Sequence, residues 1–466
     1  VKDTAWLAAG QVVSRALRAI VVIAAARILG AASWGAFSYA LSLVTFLTAF
    51  SDFGINALLT RQLVQQPQER RKYLATSLYF KIALAALFAF SLVIARDALT
   101  SIPEAASLLP ILAFVFIFDT LRDLGSALAR SLERMEIEAA LTVITNACIA
   151  AAGIAALALF HSTYALALAY ALGSALGLAA TAYALRSNLR HMSASFDLSL
   201  LKPILTTAWP FGLLGILGSL ALNTDIVMLG WLTGAREVGL YATAQKPIQL
   251  LYVLPALLSG SLFPLLSRLS AEKNLTRLSA VLEKSLAAAI LCALPPALIG
   301  IVLAEPLIVF FFGSAYAASA PAFAILVLTL VFVYPSTILG HTIFALNQQK
   351  HFLWYVGIST AVNIAANFLL IPRFGIAGAA GATIAAQLVS NLFFWVAVKR
   401  LVHFSLAPRL ATILLAGACM LAAMITAVYL NAVFPLTAAI GLLMYAAILY
   451  VRREPVLSLL IQTFKK

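Results

Sequence analysis

Long apolar stretches follow one another along almost the whole chain, and only short polar connections separate them. Hydrophobic residues make up 63% of the 466 residues, charged residues make up 10%, and the mean hydropathy is +1.01. A soluble domain is about half apolar and about a quarter charged, so no water-soluble core could bury this much apolar surface. The solvent of this chain must therefore be lipid, which excludes a soluble enzyme, a secreted disulfide scaffold and a disordered chain.

The length of the apolar stretches predicts the fold class. One membrane-spanning helix needs about 20 apolar residues, so fourteen spans would use about 280 residues. We predict an all-α integral membrane protein with about 14 transmembrane helices. These helices are predicted at 5–29, 33–60, 73–95, 105–131, 139–160, 163–186, 204–233, 237–267, 281–303, 319–346, 351–371, 376–400, 409–430 and 434–451.

The distribution of Lys and Arg predicts the orientation of these helices. With the N-terminus inside, 22 of the 31 Lys and Arg residues lie in cytoplasmic connections and tails, four lie outside and five lie within spans. Membrane proteins keep their Lys and Arg in cytoplasmic loops, so both termini are predicted to be cytoplasmic. The same rule explains the formal net charge of +14 without a nucleic-acid partner.

A short motif is repeated in the two halves of the chain. Gly35–Ala40 and Gly239–Ala244 both read G-x-aromatic-x-x-A, and they open the second and the eighth predicted helix. Because six helices separate the copies, the halves would be parallel repeats. The sequence therefore predicts two six-helix lobes at 1–200 and 201–404, followed by two extra helices and a basic tail at 405–466.

Five cations lie within predicted spans, and they are the first candidates for a functional site. A charge at the bilayer centre costs about 2.5–3.5 kcal/mol and by default marks a functional position. Arg15 and Arg18 share one helix face because they are three residues apart. Basic groups from both halves around one cavity would suit an anionic substrate, especially a pyrophosphate. The candidate substrate-binding residues are Arg15, Arg18, Lys81, Arg122 and Lys246.

Acidic residues in the same spans leave a second interpretation open. Asp52, Asp119, Asp123 and Asp225 are also intramembrane, so the cations could be satisfied by internal ion pairs. Asp119 and Arg122 are three residues apart on one helix and could satisfy each other. Asp52, Asp119 and Asp225 are equally candidates for coupling or charge relay.

Oxygen-bearing side chains form a further candidate set in the second half of the chain. Asp225, Asn363, Asn367 and Thr383 are all predicted in the outer portions of their helices. A carboxylate, two amide oxygens, a hydroxyl and a free carbonyl would suit a hard cation such as Na⁺. Hydrogen-bonded packing between helices is the competing interpretation.

Three pairs of stretches follow one another in a characteristic order along the chain. They are Phe50–Asn56 with Arg61, Asn223–Gly230 with Val238–Tyr241, and Asn363–Asn367 with Pro372–Thr383. Taken in order, they resemble the Wzx-type polysaccharide and oligosaccharide flippases of the MOP exporter superfamily. The resemblance implies two lobes around a central cavity that opens alternately to each side. It implies transport of an oligosaccharide on undecaprenyl pyrophosphate from the cytoplasmic to the periplasmic leaflet of the bacterial inner membrane, with polysaccharide polymerase and assembly proteins as candidate partners.

The first helix is also similar to that of the related lipid II flippases. Ser14-Arg15 and the turn at Arg27–Gly30 fit the spacing of a Ser-Arg pair and an Arg-Ile-x-Gly turn in that family. The family's second arginine of this helix falls at Val21 here, so Arg18 would have to take its place.

The resemblance to lipid II flippases further implies a sodium site. Asp225, Asn363, the carbonyl of Ala379 and Thr383 match the ligands of that site, while Asn367 replaces its second acid. The coupling ion would be Na⁺ or H⁺, and no other cofactor is expected.

Four other kinds of function are compatible with a chain of this class. A lipid II flippase or a multidrug exporter could use the same fold, although a multidrug exporter should favour an acidic cavity. An integral-membrane glycosyltransferase or polymerase would need a sizeable loop domain, and the predicted connections are too short to form one. A scaffold for polysaccharide assembly is the fourth alternative. We predict a transporter and no enzymatic activity.

Overall fold

The computed structural model describes residues 2–189, 196–452 and 454. Within these ranges the chain forms helices, short 3₁₀ turns and connections, with no strand, as predicted for an all-α protein. It packs as two compact units, Val1–Ala242 (unit 1) and Thr243–Lys466 (unit 2). The predicted lobe boundaries at 200 and 404 stay predictions, and the basic tail beyond residue 454 lies outside the described residues.

The helices of unit 1 run from α1 to α9, and α10 begins in unit 1 and ends in unit 2. Two of them, α4 and α8, are single turns. Their bounds are α1 Lys2–Asp52, α2 Ile55–Gln65, α3 Arg70–Ile94, α4 Arg96–Leu99, α5 Pro103–Ser131, α6 Met135–Phe160, α7 Thr163–Ala184, α8 Arg186–Leu189, α9 Leu201–Leu232 and α10 Ala235–Leu251.

Unit 2 contains the remaining eight helices. The bounds of these helices are α11 Val253–Ala271, α12 Leu275–Val302, α13 Ala304–Phe312, α14 Ala320–Val327, α15 Thr329–Ala345, α16 Gln349–Leu401, α17 Ala407–Tyr429 and α18 Phe434–Val451.

Eleven helical segments in the described ranges are long and apolar enough to cross a membrane. The Phe352–Leu401 segment has 50 residues, about 75 Å of helix, which is more than twice the hydrocarbon thickness of a bilayer. Gly375 interrupts it with a non-helical backbone (φ 56°, ψ −131°), and Gly30 interrupts α1 (φ 76°, ψ 171°). Both glycines lie where the sequence predicts a boundary between two helices. The count of 14 spans stays a prediction.

One predicted helix, 33–60, is wrong in one respect, because the structure divides it at Phe53–Gly54. The predicted helices 237–267 and 319–346 each correspond to one continuous apolar segment, and the backbone stays right-handed helical at Tyr252 and Leu328, where the hydrogen-bond pattern is locally interrupted. Pro255 explains the first interruption, because proline has no N–H to offer the carbonyl four residues earlier, which is that of Leu251. The Tyr334 hydroxyl donates to that carbonyl oxygen instead, at 3.1 Å.

The break at Phe53–Gly54 brings two backbones into direct contact. Both residues have positive φ, 45° and 78°, so the chain turns sharply between α1 and α2. A Cβ on Gly54 would overlap the carbonyl oxygen of Ala208 and the nitrogen of Gly212 in α9. A Cβ on Gly212 would lie 2.6 Å from the carbonyl carbon of Phe53. Only glycines allow this approach.

The two copies of the repeated motif cross each other at their glycines, within unit 1. A Cβ on Gly35 would overlap the carbonyl oxygen of Ala235 and lie 2.7 Å from the nitrogen of Gly239. In return, a Cβ on Gly239 would overlap the carbonyl oxygen of Ala31 and lie 3.1 Å from the nitrogen of Gly35. Each copy therefore presents the same two backbone positions to the other, as an isologous contact does.

Each unit has its own packed interior. In unit 1, α1 packs against α5, α6 and α9, while α7 packs against α5 and α6. In unit 2, α15 packs against α11, α12 and α16, and a buried apolar cluster joins α12, α17 and α18 through Leu291, Met420, Met424 and Tyr445. Unit 1 is the one that carries most of the intramembrane charges.

The glycine crossing predicts that adding one methyl group at Gly35 lowers stability, whereas the same change elsewhere does not. Gly35→Ala should lower the free energy of unfolding by about 1–3 kcal/mol, because helix backbone and not a flexible side chain occupies the space. Gly218→Ala in α9 is the matched control, since its Cβ would meet nothing within 4 Å. Alanine is the better helix former, so the thermal midpoint of this control in detergent should stay unchanged or rise. Equal midpoints for both variants would contradict the crossing.

Candidate functional site

The first part of α1, before the interruption at Gly30, carries the two arginines predicted to bind substrate. Arg18 donates from Nε to Oδ1 of Asn146 on α6, at 2.6 Å. The amide of Asn146 in turn donates from Nδ2 to the carbonyl oxygen of Thr142, at 2.7 Å. Arg18 lies near the middle of the first part of α1, and Asn146 lies near the middle of α6. Because α6 is long and apolar enough to cross a membrane, the contact lies near the middle of a membrane-spanning segment.

Arg18 differs from an ion-paired cation in that its hydrogen-bond acceptor is a neutral amide. Among the described residues, no carboxylate oxygen lies within 4.0 Å of its guanidinium, and its side chain is exposed. Arg15 is half-buried one turn earlier, close enough to Arg18 for the two charges to repel each other. The structure thus brings two cations together on one helix. Their role in substrate binding stays a prediction.

Arg122 has a different environment, because two aspartates hold it. Its guanidinium lies 2.9 Å from Asp119 Oδ1 and 3.0 Å from Asp123 Oδ1, all on α5. Asp119 also lies beside Ser174 of α7 and within electrostatic reach of Arg18. The ion pair expected from the three-residue spacing is present, so the charge of Arg122 is balanced locally. Neither its predicted substrate role nor the coupling role of Asp119 is tested by this geometry.

Lys81 on α3 is buried in a closed polar node. Its ammonium donates to Asp52 Oδ1 at 2.7 Å and to Asn56 Oδ1 at 2.8 Å. The backbone N–H of Asn56 also donates to Asp52 Oδ1, at 3.3 Å. The side chain of Lys81 is 1% exposed and that of Asp52 is 28% exposed. This node fastens α3 to the break at Phe53–Gly54, which is a structural role; binding by Lys81 and relay by Asp52 stay predictions.

Asp225 on α9 is buried and accepts a short hydrogen bond. The Tyr241 hydroxyl donates to Asp225 Oδ2 at 2.6 Å, and both residues belong to unit 1. Tyr241 is itself part of the repeated motif and follows Gly239 by two residues on α10. The glycine crossing and this hydrogen bond therefore lie within one turn of that helix. Lys246 follows on α10 in unit 2, where it is half-buried. Its predicted substrate role stays a prediction.

The other predicted sodium ligands all lie on α16 in unit 2. Asn367 donates from Nδ2 to Asn363 Oδ1 at 3.2 Å, and both residues are buried. The Thr383 hydroxyl donates to the carbonyl oxygen of Ala379, also at 3.2 Å. Across the described ranges, no group of three or more His, Cys, Asp and Glu side chains is placed to hold a metal ion. The sodium site that includes Asp225 stays a prediction.

Sequence reasoning missed two residues that complete these contacts. Asn146 is a neutral amide in an apolar helix, 128 residues from Arg18, so no spacing rule connects them. Its burial in an apolar helix was the available signal, because a buried amide needs a partner. The sequence marked Tyr241 only as a member of the repeated motif and did not indicate its bond to Asp225. A buried tyrosine hydroxyl likewise needs a partner.

Comparisons with known proteins add the family context. A family model described as "Polysaccharide biosynthesis protein" matches residues 1–270, and one described as "MatE" matches residues 210–369. The putative O-antigen transporter of Shigella flexneri is 25% identical over 372 residues, which cover 76% of this chain and 87% of that protein. The probable flippase AglR of Haloferax volcanii is 30% identical over 172 residues, but the match spans only 36% of each chain.

Solved structures show the same fold. The lipid II flippase MurJ in an inward closed conformation superposes with a TM-score of 0.80 at 18% sequence identity, covering 95% of this chain and 98% of that chain. An identity this low speaks for the architecture alone. With the apolar helices described above, it establishes a multi-pass membrane protein of the transporter fold that the sequence predicted.

The Lys81 node predicts that a substitution of Lys81 lowers stability and that a second substitution, at Asp52, restores part of it. Lys81→Met should lower the free energy of unfolding by about 2 kcal/mol, because it leaves Asp52 without its cation in a mostly buried place. The double variant Lys81→Met with Asp52→Asn should recover at least half of that loss. Thermal unfolding in detergent measures both. A single variant as stable as the unaltered protein would contradict the node.

Proposed function

Because the chain belongs to the polysaccharide biosynthesis protein family, we propose that it is a flippase for a lipid-linked oligosaccharide. The proposed substrate is an oligosaccharide carried on undecaprenyl pyrophosphate. The protein moves it from the cytoplasmic to the periplasmic leaflet of a bacterial inner membrane by alternating access. Two relatives named as a flippase and an O-antigen transporter support the transport of a glycan.

One observation carries the substrate class: Arg18 bonds to a neutral amide near the middle of α6, a helix long and apolar enough to cross the membrane. An arginine at the bilayer centre costs about 2.5–3.5 kcal/mol, and a carboxylate partner would be the ordinary compensation. In the proposed site, the anionic headgroup of the substrate compensates the charge of Arg18. A pyrophosphate offers several anionic oxygens to the guanidinium, and Arg15 one turn away adds a second cation for the same group.

The alternation of access then needs no covalent chemistry. The headgroup enters from the cytoplasmic side, is held by Arg15 and Arg18, and leaves on the other side, while the lipid tail stays among the acyl chains. The chain acts as a transporter and not as an enzyme, in keeping with the transporter names of its relatives. The basic character of this site disfavours a multidrug exporter, which would use acidic groups for cationic drugs.

Orientation and partners belong to the same proposal. The 22 Lys and Arg residues in alternate connections support cytoplasmic N- and C-termini. A polysaccharide polymerase and assembly proteins on the periplasmic side are the proposed partners, since a flipped oligosaccharide has to be joined to a growing polymer.

Substitution of the two arginines tests the proposed site. Arg18→Ala and Arg15→Ala should each abolish surface polysaccharide in a complemented deletion strain, because the pyrophosphate loses a cation that it requires. Membrane levels of both variants, measured by immunoblot, should equal those of the unaltered protein. Arg27→Ala, an exposed arginine at the end of the same helical segment, is the control and should retain polymer. Normal polymer from both Arg15→Ala and Arg18→Ala would refute the site.

We further propose that an ion gradient drives the cycle and that Asp225 is the carboxylate that responds to it. Flipping in proteoliposomes, followed as the exposure of a fluorescent lipid-linked oligosaccharide to an external quencher, should accelerate under a sodium or a proton gradient. Asp225→Asn should remove this acceleration. Asp97→Asn, whose carboxylate is 81% exposed, should not remove it. Rates that are equal with and without gradients would refute coupling.

A further inference from the structure

Asn146 is held in place from two sides. On one side, α6 packs closely on α7, because a Cβ on Gly177 would overlap the Thr145 hydroxyl and a Cβ on Gly173 would overlap Ile149. Asn146 itself is 2% exposed. These small residues fix the rotation of α6, so that the position after Thr145 faces another neighbour, which is α1.

On the other side, α1 and α6 run in the same direction with a fixed register. A Cβ on Gly10 would lie 3.0 Å from Cβ of Ala139, and a Cβ on Gly153 would lie 3.6 Å from Val21. The Arg18–Asn146 hydrogen bond lies between these two contacts. Asn146 therefore meets Arg18 through a register that the packing of both helices determines.

The orientation of the amide follows from its second hydrogen bond. Nδ2 of Asn146 donates to the carbonyl oxygen of Thr142, so Oδ1 is the atom that remains to face Arg18. The amide oxygen accepts from Nε only. Both terminal nitrogens of the guanidinium stay outside this bond, and together they form the planar fork that suits two phosphate oxygens.

The neutrality of the acceptor is as important as its position. Arg122, by comparison, is bonded to two carboxylates and carries little net charge toward a ligand. A carboxylate at position 146 would still accept from Arg18, but it would lose the donation to the Thr142 carbonyl and would cancel the charge. An amide is the planar acceptor of the same size that orients a guanidinium without neutralising it.

We propose that Asn146 is a positioning residue that aims the Arg18 guanidinium at the diphosphate of the substrate while preserving its charge. This inference rests on the proposed function. Its competitor is an ordinary interhelical hydrogen bond that only stabilises packing between α1 and α6.

The two interpretations predict opposite orders for the same pair of variants. Asn146→Asp keeps the bond to Arg18 and adds a charge, whereas Asn146→Ala removes the bond and leaves the charge. A packing role makes Asn146→Ala the more damaging change. A positioning role makes Asn146→Asp the more damaging change for ligand binding, although its thermal midpoint should be no lower than that of Asn146→Ala, because its ion pair with Arg18 offsets the lost donation to Thr142.

The experiment measures undecaprenyl pyrophosphate binding to the purified full chain in detergent, together with thermal midpoints. We expect affinity to fall at least tenfold in Asn146→Asp and about threefold in Asn146→Ala. Asn391→Asp is the matched control, because its Nδ2 also donates to a carbonyl oxygen four residues earlier and no described arginine bonds to it. It should bind as the unaltered protein does.

Arg18→Ala distinguishes a failure of the positioning role of Asn146 from a failure of the proposed substrate site. If Arg18→Ala loses binding while Asn146→Asp binds normally, the positioning role is wrong and the proposed site stands. If Arg18→Ala also binds normally, the site of the proposed function is wrong. Should Asn146→Asp fail to fold, Asn146→Ala still decides, since unchanged affinity in that variant overturns the positioning role.

Discussion

The cost of a charge in a low-dielectric medium governs the interior of unit 1. Lys81 is bonded to a carboxylate and an amide oxygen, and Arg122 lies between two carboxylates. Arg18 is bonded to a neutral amide. An ion pair in such a place holds helices together and leaves little field for a ligand, whereas a cation on a neutral acceptor retains its field. In the proposed site, the identity of the acceptor separates the charges that hold helices together from the charge that would meet the ligand.

Helix order and breaks follow from local chemistry and were therefore readable in the sequence. The fold class came from apolar length, and the boundaries at Gly30 and Gly375 came from interruptions in the apolar pattern. The break at Phe53–Gly54 was not predicted, because it depends on a tertiary contact, the close approach of α9 at Gly212. At Pro255 the helical segment continues, and Tyr334 donates to the carbonyl oxygen that the proline leaves without an N–H.

The candidate site could be predicted in part. The Asp119–Arg122 pair follows from a three-residue spacing on one helix, and the alternative of internal pairing covered Lys81 with Asp52. The partner of Arg18 could not be predicted, because helix register between α1 and α6 depends on contacts such as Gly10 with Ala139, which no single segment encodes. The sequence shows which residues carry charge. Which acceptor each charged side chain meets depends on how the helices pack.

The crossing of the two repeated motifs has an evolutionary consequence. Gly35 faces the backbone around Gly239, and Gly239 faces the backbone around Gly35. A side chain gained by either copy would meet the main chain of the other, so neither half could diverge at this position on its own. Such a mutual dependence would keep the glycine in both copies, however different their surroundings become, because the obstacle on each side is main chain.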